Sequence, residues 1–117
     1  MGEASGTGAS AVGAAAPVAC TLPPDGMADR LAEMEALFAR GLTALEREPL
    51  QLRLTFTAAE EAGARDLFAR EQECCAFLTF TYIPVDSGVT VAVTAPPDAA
   101  PTLDGLEALA NAGLRTR

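Results

Sequence analysis

The chain has 117 residues, half of them apolar, with 8 basic against 16 acidic side chains and no histidine. That length allows one domain with one modest core. The net charge of −8 argues against a nucleic-acid partner and against an anionic membrane surface, both of which need a Lys/Arg surplus. Without imidazole there is no Ser-His triad and no Cys₂His₂ or Cys₃His zinc cage, and three cysteines cannot make Cys₄.

Residues 1–19, MGEASGTGASAVGAAAPVA, are low in complexity and predict a disordered tail, so residues 20–117 form the single domain. The run APVAC loosely matches a lipoprotein cleavage site. However, no Lys or Arg precedes Arg30 and no apolar h-region is present, so a signal segment is not expected. No run reaches transmembrane length.

Asp25 predicts the cap of a first helix over 26–48, with Met27, Leu31, Met34, Phe38, Leu42 and Leu45 at three-and-four spacing and Pro49 as its stop. Residues 50–56, LQLRLTF, alternate as a half-buried strand does. Thr57 and Glu60 have capping-box spacing ahead of a second helix that runs into the cysteine pair. Residues 78–84 and 89–94 alternate again around Asp86-Ser87-Gly88, a hairpin, with Pro84 marking an edge or a bulge. Thr102 caps a last helix carrying Leu103, Leu106, Ala110 and Leu114 on one side. The expectation is an α+β fold: a three-stranded antiparallel sheet packed with helices, in the order α-β-α-β-β-α.

On the second helix, a step of about 100° per residue with Leu67 at zero groups Ala64, Phe68, Cys74, Cys75 and Leu78 into one apolar stripe, with Arg70 and Glu73 outside it. Glu71 falls at about 40°, within the stripe and one turn before the cysteines. A carboxylate there is costly unless paired. Either the stripe is only partly covered, or an arginine such as Arg53 or Arg30 reaches it, or Glu71 belongs to a site with Cys74 and Cys75.

Free cysteine packs as a small hydrophobe, so core filling competes with every functional reading of these thiols. An odd cysteine count without a disulfide framework predicts a reducing cytoplasm. A Cys74–Cys75 disulfide would be strained, with Cα atoms about 3.8 Å apart. A Cys20–Cys75 bridge is freer, and transient in that compartment. Thiolates prefer soft ions, and Cys20, Cys74 and Cys75 together could form a trigonal sulfur cage suited to Hg(II), As(III) or Cu(I). Met27 and Met34 need no metal, since core packing explains them.

The segments ACTL and REQECCAFLTF, the latter leading into a hairpin, carry a resemblance. The chain resembles small bacterial proteins with a Glu-x-Glu-Cys-Cys-(Pro/Ala)-Phe signature. It also resembles the extra C-terminal module of some heavy-metal-responsive regulators of the mercury-regulator type. The similarity spans Cys20 to Thr94 and implies mercury or arsenic handling, with Cys20, Cys74 and Cys75 matching the family cysteines. Ala76 stands where family members often have proline, which bears on the local helix end and not on the ligands. With no helix-turn-helix and no basic surplus, the chain is not itself such a regulator.

The expected function is soft-metal binding for resistance, sequestration or sensing, with mercury as the first-ranked ion and Glu71 supporting the ligands. An organomercurial-cleaving enzyme with Glu71 as proton donor is the enzymatic alternative. A thiol redox switch or a plain interaction module are the others, and homodimerisation stays open.

Overall fold

A computed structural model describes residues 24–115. Cys20 and the expected tail 1–19 lie outside the described residues. α1 (Pro24–Gly41) leads into the antiparallel hairpin β1 (Leu42–Glu48) and β2 (Gln51–Thr57). A 3₁₀ turn (Ala58–Glu60) precedes α2 (Glu61–Cys74), followed by the hairpin β3 (Thr79–Val85) and β4 (Gly88–Thr94). A second 3₁₀ turn (Pro97–Ala99) precedes α3 (Ala100–Arg115). The strands form a four-stranded antiparallel sheet in the order β1-β2-β4-β3.

The α+β class therefore holds, but the expected three-stranded sheet and its order are corrected to α-β-β-α-β-β-α. The last part of the expected first helix, residues 42–48, is strand β1. α1 ends at Gly41, where an added Cβ would lie 2.4 Å from Glu60 Cγ. The misreading has a physical cause. The β1–β2 register shifts between Leu42 and Ala44, leaving Thr43 as the extra residue of a bulge. Leu42, opposite Phe56, and Leu45, opposite Leu54, both turn inward although three residues apart, which imitates a helical step. Pro49 stops no helix; with Leu50 it forms the two-residue turn between the paired Glu48 and Gln51.

One sheet face carries Leu52, Leu54, Phe56, Val89, Val91 and Val93, all fully buried beneath the helices with Met34, Phe38, Phe68, Leu103 and Leu106. Phe38, Phe56, Phe68 and Phe80 form a run of ring contacts through this core, with centroids 5.9, 6.2 and 5.3 Å apart. Burying these side chains supplies roughly 1.5–3 kcal/mol each. Arg47 also turns toward the helices and bonds Asp104 and Glu107 of α3 at 2.7 and 2.9 Å. The opposite sheet face is polar: Thr55 and Thr90 hydroxyls meet at 2.8 Å, and Arg53 pairs with Glu46 and Glu48.

Three expected helix starts shift. Thr57 makes no side-chain capping bond, because Glu60 turns to Arg40 (3.2 Å) and the 3₁₀ turn intervenes. Thr102 lies inside α3 and is buried. α1 begins at Pro24, which places Asp25 within the helix and not ahead of it. Pro84 does fall on an edge strand, β3.

The β3–β4 turn depends on Gly88. A Cβ there would sit 2.0 Å from the Phe56 carbonyl oxygen and 2.7 Å from the Ala58 nitrogen, both backbone atoms. Gly88→Ala is expected to destabilise the fold by more than about 1 kcal/mol, measured as a lower urea midpoint. An unchanged midpoint would show that the end of β2 yields freely. Among the described residues, no helix is long and apolar enough to cross a membrane.

Candidate thiol site at the end of the second helix

The stripe read from the sequence of α2 is the buried one. Ala64, Leu67, Phe68 and Glu71 are buried, Cys75 and Leu78 continue the row, and Glu73 is exposed. Arg70, also off the stripe, pairs at the surface with Glu33 and Asp66.

The helix stops between the two cysteines. Cys74 is its last residue, and Cys75 leaves helical geometry at φ −119°, ψ 69° while its N–H still donates to the Glu71 carbonyl at 2.7 Å. The chain then turns, with Leu78 N–H donating to the Cys75 carbonyl at 3.0 Å. Gln72 fastens this turn by donating from Nε2 to the Leu78 carbonyl at 2.7 Å and to the Cys75 carbonyl at 3.4 Å. A side chain of the last helical turn thereby ties two carbonyls of the exit turn back to the helix end. The consequence is a separation of environments. Cys75 is fully buried, whereas Cys74 is half-buried at the α1 side.

Both thiol positions adjoin one ion pair. Arg30 Nη1, from α1, donates to Glu71 Oε1 at 2.6 Å and to Cys74 Sγ at 3.7 Å. The Cys74 thiol in turn donates to the Arg70 carbonyl at 3.4 Å. Glu71 Oε2 lies 3.3 Å from Cys75 Sγ. The pair is enclosed, with side-chain exposures of 11% for Arg30 and 4% for Glu71. Burial works against the guanidinium charge, but the bonds and charges of Glu71 and Cys74 outweigh it and hold Arg30 above its ordinary pKa.

Arg30 is thus the arginine that answers Glu71, while Arg53 lies on the opposite sheet face among Glu46 and Glu48. Two features escaped the sequence reading: the contact of Arg30 with Cys74 and the fastening by Gln72. The placement of Arg30 one residue before Leu31, at the rim of the apolar stripe of α1, was the available signal for the first.

Cys75 is disulfide-bonded, and Cys74 is free. A disulfide sulfur carries no proton, so its contact with Glu71 becomes a donated hydrogen bond only after reduction. Of the three expected ligands, Cys74 and Cys75 are brought to the same ion pair, and Cys20 lies outside the described residues. Among the described residues, no group of three or more cysteine or carboxylate side chains is placed to hold a metal ion.

No family model matches this chain, and no curated protein or solved structure does.

Proposed function

We propose that the reduced protein captures a soft, thiophilic metal ion, Hg(II) foremost with As(III) or Cu(I) as alternatives, through Cys74, Cys75 and Cys20. The observation that carries this reading is the convergence of two thiol positions on the Arg30–Glu71 pair, in a chain without histidine. Sulfur selects soft ions over hard ones. Charge supports it too. Three thiolates and the Glu71 carboxylate carry four negative charges against three positive ones from a divalent ion and the Arg30 guanidinium, so a loaded site keeps one net negative charge, smaller than it would be without Arg30. Cys20 supplies the third sulfur and tightens the cage. A reducing cytoplasm keeps the ligands available.

In this account Glu71 and Arg30 are positioning residues that support the ligands. The test loads the reduced full chain with one equivalent of HgCl₂, then alkylates in the presence of a competing monothiol. Protection of Cys20, Cys74 and Cys75 is expected by peptide mass spectrometry. Alkylation of all three at the rate of the metal-free protein would defeat the proposal. Hydrocarbon released from an added organomercurial would instead move the chain to the carbon–metal-cleaving alternative, with Glu71 as proton source.

A further inference from the structure

We propose that the outer edge of β3 pairs with β3 of a second copy of this chain, antiparallel about a two-fold axis at Thr81, joining the two sheets into one. Metal binding plays no part in it.

No strand of the described residues covers this edge. β3 lies at one end of the sheet and pairs on its inner side with β4. The two-residue turn Asp86-Ser87 makes Val85 and Gly88 a hydrogen-bonded pair of that ladder, so Thr79, Thr81, Ile83 and Val85 turn their backbone groups to β4. Phe80, Tyr82 and Pro84 therefore direct theirs outward. Pro84 fits this phase, because an outward position is where a missing N–H removes no bond from the ladder.

The opposite edge of the sheet is guarded. β1 has the bulge at Thr43 and the charged run Glu46-Arg47-Glu48, and Arg47 donates to the Glu48 and Pro49 carbonyls at 2.7 and 3.2 Å. β3, TFTYIPV, has no charged residue in a chain of net charge −8, so two copies meet there without opposing carboxylates. The large apolar side chains left exposed among the described residues, Phe77, Ile83 and Val85, all lie on or beside it.

The ends of the strand select the register, and that register suits a second copy. A two-fold axis at Thr81 sets Phe80 opposite Tyr82 of the other copy, and each such pair exchanges both backbone bonds. Pro84 then falls opposite Leu78. Pro84 has no N–H to offer, while Leu78 already donates its N–H to the Cys75 carbonyl and lends its own carbonyl to Gln72. The new ladder thus stops where neither strand has a pair of groups left. Moving the axis by one residue sets Phe80 against Pro84, or Tyr82 against Leu78, and loses bonds. At the axis Thr81 meets Thr81 as a non-hydrogen-bonded pair, where side chains approach closely. The same register brings Val85 level with Phe77 of the other copy, so the exposed apolar groups cover one another.

The experiment measures the mass of the full chain, reduced with dithiothreitol and metal-free, by sedimentation equilibrium from micromolar to millimolar concentration. A reversible species of twice the 12.0 kDa chain mass is expected. Thr81 is exposed, so Thr81→Lys and Thr81→Glu should keep the fold, verified by an unchanged urea midpoint. Each variant opposes like charges across the axis and should weaken self-association by on the order of tenfold or more. Mixing the two variants opposes unlike charges and should restore the dimer. Amide hydrogen exchange at Phe80 and Tyr82 should slow with concentration in the parent and in neither variant alone. A parent that stays monomeric throughout overturns the proposal, and amides already protected in that monomer would show the edge covered by its own chain. A dimer that survives both substitutions, or a mixture that fails to restore it, overturns the β3 pairing.

Discussion

Arg30→Met is expected to lower the stability of the protein by about 3–5 kcal/mol, since it strands a carboxylate inside the fold. Glu71 is 3% exposed and its Oε1 is held by Arg30 at 2.6 Å, so water cannot readily replace the guanidinium. The measurement is urea unfolding, read as a shift in midpoint with an unchanged slope. Arg30→Met combined with Glu71→Leu should recover most of the loss, because apolar groups of similar size often replace a buried ion pair at little cost. Such recovery assigns the pair to site chemistry more than to folding. A loss under about 0.5 kcal/mol for Arg30→Met alone would show that Glu71 finds solvent or another partner.

The second large effect concerns the ligands. Cys74→Ser and Cys75→Ser are each expected to lower mercury retention by the reduced chain by on the order of a hundredfold, as each removes a soft donor and breaks the chelate. The serine hydroxyl at position 75 can still donate to Glu71 Oε2, the acceptor that lies 3.3 Å from Cys75 Sγ. The fold should therefore survive, and a far-UV spectrum matching the parent verifies that the loss reports a ligand. Retention within twofold of the parent in both variants would return these cysteines to a packing role.

Much of this arrangement was legible in the sequence, for reasons tied to periodicity. β2 and β4 alternate in sequence, and their inner residues Leu52, Leu54, Phe56, Val89, Val91 and Val93 are buried, joined on the other face by Ala92. The stripe of α2, including the anomalous Glu71, follows from helical spacing because that helix is regular up to Cys74. β1 was hidden because the bulge at Thr43 gives Leu42 and Leu45 a helix-like interval, and because the inward polar residue there, Arg47, is matched by acids far along the chain in α3. The different fates of Cys74 and Cys75 were hidden as well. A helical wheel assumes the helix continues, whereas here it ends between them under the hold of Gln72, a bond no local spacing announces. The choice of Arg30 over Arg53 as partner of Glu71 likewise required knowing which sheet face each side of β2 presents.

The most direct measurement is X-ray absorption at the mercury edge on the reduced full chain loaded with one equivalent of Hg(II). The account predicts a first shell made of sulfur alone, with three sulfur neighbours in the parent and fewer in Cys74→Ser and Cys75→Ser. A shell of oxygen or nitrogen donors, or a sulfur shell unchanged when both cysteines are replaced, would contradict it.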